Sequence, residues 1–147
     1  MDSFNDPARW LRMSLRSNAA FSGMSGLVLL IAAGPIAAFL GVEAPWIIRG
    51  LGPGLLVFAV WLSVVASRPS PDRREVWSAI GLDGAWVIGS AALLLWDLWP
   101  LTAPGKWAVG ITADLVATFA VLQMVGLFKY EAAHAMFPPV ETSRRYR

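Results

Sequence analysis

Cysteine is absent from this chain of 147 residues, and histidine occurs once, at position 134. The first absence excludes disulfides and thiolate metal sites and removes cysteine usage as a clue to compartment. The two together prevent a Cys/His nucleophile pair, and a single histidine cannot supply both axial ligands of a haem. A glycine-rich phosphate loop is missing as well. Charge is scarce: 15% of residues are Asp, Glu, Lys or Arg, and the formal net charge is +2. No catalytic residue is assigned, and the chain reads as a non-enzyme.

What is present in quantity is apolar. Hydrophobic residues make up 56% of the chain and mean hydropathy is +0.56, more than a soluble domain of this size usually carries. They fall in long runs rather than in the 3.6-residue alternation of a soluble core helix. A β-barrel would show short alternating segments, and many more of them, so helices are the spanning element. Four spans follow, at about 18–40, 46–67, 76–96 and 107–128, within one domain covering 1–147. The connections are too short to fold as domains, so consecutive spans form antiparallel hairpins. Pro35 predicts a kink in the last turns of the first span, or an exit as a short interfacial helix from Pro35 to Gly41.

Lysine and arginine close to spans are retained on the cytoplasmic side of a membrane. Arg9, Arg12, Arg16, Arg68, Arg73, Arg74, Lys129, Arg144, Arg145 and Arg147 fall on one side of this layout, and only Arg49 and Lys106 on the other. Both termini are therefore expected in the cytoplasm. Trp46, Trp96, Trp99 and Trp107 would line the outer interface, and Trp10 and Trp77 the inner one, where amphipathic rings prefer to sit. The basic residues before the first span do not make a secretory signal. The apolar stretch starts at residue 18 and runs on to Leu40, past the small-residue run Ala32-Ala33-Gly34. Asp6 as cap, Pro7 at the first helical position, and Trp10, Leu11 and Met13 beside three arginines predict a short amphipathic helix on anionic headgroups. A frayed extension is the alternative.

The two halves resemble each other. Gly23-Met24-Ser25-Gly26 matches Gly81-Leu82-Asp83-Gly84, and Phe58-Ala59-Val60-Trp61 matches Phe119-Ala120-Val121-Leu122. With two spans in each half, 18–67 and 76–128, a duplication gives two tandem hairpins of one orientation, a parallel repeat. The matches are short, and close packing of helices at small residues accounts for the glycines whatever their origin.

Polar residues inside spans are costly, so each is a candidate functional position. Arg49 and Asp114 lie at depths that allow a salt bridge, and Asp83 lies level with Ser22, Ser25 and Gln123 in the cytoplasmic half. Asp114 and Gln123 fall on opposite sides of the fourth span. One side can turn inward, and Gln123, uncharged and opposite the proposed Asp114 pair, is expected to face a partner. These groups read either as locks on helix register or as parts of a transport or proton path. Glu131 and His134 form Glu-x-x-His at helical spacing, a di-iron ligand pattern that lacks its second copy here, so no metal site is expected. The tail Arg144-Arg145-Tyr146-Arg147 reads as a topology and headgroup anchor rather than a nucleic-acid site.

Leu15, Arg16, Asn18, Phe21, Ser22, Ser25 and Gly26, followed by an apolar run and Gly34-Pro35, resemble the opening of small four-span membrane proteins found widely in bacteria. The resemblance covers most of the chain and implies a bacterial inner membrane and the same helix layout. It brings no substrate, cofactor or catalytic residue. A small-multidrug-type carrier would need a membrane-embedded glutamate in its first span, and this one has none. The expectation is an all-α integral membrane four-helix bundle acting as a non-catalytic accessory or scaffold subunit. It would contact membrane lipids and associate with itself or with a larger membrane complex. No cofactor is predicted, although a bound lipid or pigment is compatible with the composition. The alternative is a small transporter or channel using Asp83, Asp114 and Arg49.

Overall fold

Residues 8–136 are described by a computed structural model of the chain, and among them every regular element is a helix. The expected cap Asp6, Pro7 and the tail residues Arg144, Arg145 and Arg147 lie outside that range. The helices are α1 (Arg9–Ile31), α2 (Ala33–Leu40), α3 (Pro45–Ser67), α4 (Arg73–Leu95) and α5 (Ala103–Met136). α3, α4 and α5 are each long and apolar enough to cross a membrane. α1 and α2 meet that standard only as a pair, and they are bent by 94°. The chain reads as membrane-spanning, with three crossings or, if the bent pair counts as one span, four.

The segment expected to form a separate amphipathic helix is instead the first part of α1. No proline interrupts residues 9–31, so once nucleated the helix continues from the basic segment into the apolar one. Arg9, Arg12 and Arg16 share one side of it, while Leu11, Leu15, Asn18 and Ser22 are buried on the roughly opposite side. The break falls at Ala32, three residues before Pro35. Pro35 has no N–H to offer the carbonyl of Ile31 and its ring would crowd that oxygen, but it is tolerated in the first turn of a new helix. α2 ends at Gly41, whose φ of +82° favours glycine, with Val42 N–H bonded back to Ala37 O at 2.8 Å.

Thr102 joins the end of α2 to the start of α5. Its hydroxyl donates to Phe39 O at 2.6 Å and accepts from Gly105 N–H at 3.0 Å, while its own N–H donates to Leu40 O at 3.0 Å. One side chain thus caps the start of α5 and occupies a carbonyl left open at the end of α2.

α1 packs most extensively on α3, and α4 on α5, giving two helical hairpins joined mainly through α1 and α5. The α1–α3 approach is closest at Gly26 and Gly52, where a Cβ on Gly26 would lie 2.8 Å from Gly52 O. α5 meets α1 at Gly126, where a Cβ would lie 2.9 Å from Leu11 Cα. Gly81 and Gly84 differ: nothing lies within 4 Å of a Cβ built there. The helix-packing role expected of these glycines therefore holds for the first half and not for the second.

The larger core cluster sits at the basic end, where Leu11, Leu15, Leu62, Val65, Val76 and Leu127 are fully enclosed. The outward surface is also apolar, with Ile31, Val57, Val60, Ile88, Leu95 and Trp107 exposed. Lipid would exchange for protein contact with little hydrophobic gain, so tight van der Waals fit and polar bonds must supply the cohesion.

Candidate functional site

The feature most in need of explanation is a buried carboxylate. α4 is started by Asp72, whose Oδ1 accepts from Arg74 N–H at 2.8 Å. Three turns further on, Asp83 points into the protein and is only 3% exposed. Its Oδ2 accepts from Asn18 Nδ2 of α1 at 2.7 Å and from Gln123 Nε2 of α5 at 3.0 Å. Ser22, one turn beyond Asn18, donates its hydroxyl to Asn18 Oδ1 at 3.2 Å, which orients the amide with its NH2 toward Asp83. A chain of four side chains therefore ties three helices together at one level.

The donors to Asp83 are neutral amides rather than a lysine or arginine. Buried acids without a cation depend on such bonds, and each interhelical bond of this kind is worth about 0.6 kcal/mol on average and up to about 2 kcal/mol. Two buried polar atoms near the middle of these helices have no protein hydrogen-bond partner, Gln123 Oε1 and Trp86 Nε1. Gln123 itself is 0% exposed, so the network carries spare acceptor capacity inside a closed environment.

Of the residues singled out in the sequence, Ser22, Asp83 and Gln123 come together and Ser25 does not; Ser25 is half-buried outside the network. Gln123 does not face a partner, contrary to expectation. It turns inward, where Asp83 Oδ2 accepts from its Nε2. The expected Arg49–Asp114 salt bridge is not formed. Both residues are exposed, and α3 and α5 do not pack on each other. Depths that allow a bridge constrain height alone, whereas contact also requires facing sides of neighbouring helices.

Glu131 and His134 are engaged separately. Glu131 pairs with Arg73 of α4 at 2.9 Å, and His134 Nδ1 lies 2.9 Å from Tyr130 O with its ring 4.2 Å from that tyrosine. Among the described residues, no group of three His, Asp or Glu side chains converges in a way that could hold a metal ion. Arg68 and Glu75 form a further ion pair across the α3–α4 turn.

Asn18 is the member of the network that sequence reading missed as a site residue. With the first span placed at residue 18 it stood at the boundary, where an asparagine is unremarkable. The available signal was Asn18 and Ser22 at i, i+4, on the side of α1 opposite the three arginines. No protein-family model, curated protein or solved structure matches this chain.

Proposed function

We propose that this chain is a non-catalytic accessory or scaffold subunit of a bacterial inner-membrane assembly, one of the small four-span membrane proteins it resembles. In this reading α1 with α2, α3, α4 and α5 are the four crossings of two tandem parallel hairpins, with the basic end and both termini cytoplasmic.

The observation that carries the proposal is the contrast between the two sets of intramembrane polar groups. Asp83, the buried acid, has its partners inside the chain, whereas Arg49 of α3 and Asp114 of α5 project from the outer surface. Ionised groups facing lipid are costly, by up to roughly 2.5 to 3.5 kcal/mol each at the centre of a span and by less nearer its ends. A protein partner that covers them relieves that cost. Because the two charges are opposite and both lie in the outer halves of their helices, a second copy of the chain related by an axis along the membrane normal would offer Arg49 of one subunit to Asp114 of the next.

The test is purification in a mild detergent with a photo-crosslinking residue at position 114. Capture of position 49 of another copy, or of a reproducible membrane partner, supports the proposal. A strictly monomeric protein whose position 114 captures only detergent and lipid refutes it. Carriage of a proton or ion through Asp83 is the second reading, favoured by that one buried acid. It requires that Asp83→Asn abolish uptake in sealed vesicles.

A further inference from the structure

Asp83 stands inside α4, one of the helices long and apolar enough to cross a membrane. Both bonds it accepts come from neutral amides, and among the described residues it enters no ion pair. A carboxylate enclosed at such a depth is costly unless a positive charge answers it.

The oxygens gathered there also outnumber their donors. Gln123 Oε1 is enclosed without a hydrogen-bond partner, in a side chain whose Nε2 lies 3.0 Å from Asp83 Oδ2. Asp83 Oδ2 takes both amide bonds, and Oδ1 takes none from the described residues. Asn18 and Ser22, 1% and 5% exposed, complete a cluster in which every side chain is buried.

We infer that Asp83, Gln123, Asn18 and Ser22 form a binding site for a small monovalent cation of the sodium kind. Hard cations take oxygen ligands, and each of these side chains carries at least one. A single carboxylate balances a single positive charge. A divalent or transition metal would call for more, and no group of three acids or histidines gathers among the described residues.

The network can reverse its polarity without coming apart. Half a turn about the last side-chain torsion exchanges the oxygen and the NH2 of an amide within the same space. Asn18 then presents Oδ1 to the ion, while its NH2 donates to the Ser22 hydroxyl from which Oδ1 had accepted at 3.2 Å. Gln123, turned the same way, presents Oε1. Polar atoms that stand 2.7 and 3.0 Å apart suit a small ion, whereas potassium would push α1, α4 and α5 further from one another. The inference is independent of both readings of function, since an ion held by the protein in detergent is neither a subunit contact nor a transport event.

The full chain in a neutral detergent is unfolded thermally in sodium, potassium or choline chloride at one ionic strength, and binding of radiolabelled sodium is measured by equilibrium dialysis. The Tm should rise saturably with sodium, less with potassium and not with choline. Asp83→Asn, uncharged and of the same size, should fold and lose both the sodium-dependent shift and the bound label. Gln123→Leu should weaken sodium binding at least about tenfold. Glu43→Gln removes an exposed carboxylate outside the cluster and should change binding less than about twofold. Equal stabilisation by sodium and choline, or an Asp83→Asn variant that binds sodium like the parent, overturns the inference. If Asp83→Asn does not fold, the comparison of sodium with choline on the unaltered chain decides.

Discussion

Asn18 of α1 donates to Asp83 of α4 at 2.7 Å across 65 positions of sequence, although the backbones of these two helices keep apart. The bond is thus made by side chains reaching across a gap, and Gln123 of α5 closes it from the third side. Such a bridge fixes the relative height of α1 and α4 without their backbones touching, while α5 packs on both.

Asn18→Leu and Gln123→Leu should each lower stability by about 1 to 2 kcal/mol, measured by unfolding in a denaturing detergent. Because both side chains donate to the same oxygen, the double variant should depart from the sum of the singles by at least about 0.5 kcal/mol. Strict additivity would show that the two bonds act independently and that the network is not a unit.

Arg49→Gln and Asp114→Asn should leave the isolated subunit's unfolding within about 0.5 kcal/mol of the parent, as exposed substitutions usually do. Each should reduce the fraction of associated subunits seen by chemical cross-linking. Exchanging the charges, Arg49→Asp with Asp114→Arg, should restore part of that fraction. Loss of the folded monomer in either single variant would instead place these residues inside the fold.

Gly26→Ala should destabilise by about 1 to 3 kcal/mol, because its new methyl meets the Gly52 carbonyl at 2.8 Å and neither backbone can move without separating α1 from α3. Gly84→Ala has open space around it and should stabilise by about 0.5 to 1 kcal/mol through helix propensity and unfolded-state entropy. The opposite signs separate a packing glycine from one that merely matches it in sequence. Equal effects would mean that helix propensity alone governs both positions.

Cysteines at Ser70 and Leu98, both exposed in connections at opposite ends of the helices, report topology. A membrane-impermeant thiol reagent added to intact cells should label position 98 and spare position 70 until the membrane is opened. Thr102 is a poor substitute, since its hydroxyl bonds Phe39 and Gly105. Labelling of both positions from outside removes the assignment of both termini to the cytoplasm.

The long apolar runs, their bounding charges and the break near Pro35 were legible because each depends on local composition along the chain. The azimuth of each helix was not. Depth alone suggested that Arg49 should meet Asp114, yet these residues lie on helices that do not adjoin. The two polar sides of α5 were visible, but which of them turned inward depended on Asp83 and Asn18, two residues on other helices. Gln123 was consequently assigned to the wrong side. The internal match of Gly23 and Gly26 with Gly81 and Gly84 likewise carried no information about packing, because only the first pair has a helix against it.

The 94° turn at Ala32 also sets a length. From Ser17, just past the last arginine, to Ile31, α1 has about 15 residues and rises about 22 Å, against a hydrocarbon thickness of about 30 Å. The apolar wall on this side is therefore shorter than the bilayer, while α3, α4 and α5 are not. If α1 with α2 is a crossing, acyl chains beside it would compress, at a fraction of a kcal/mol for each Å of mismatch. Two compressed zones deform less lipid merged than apart. In the proposed reading, with α1 and α2 as one crossing, bilayer elasticity would favour association of copies before any side chain made contact.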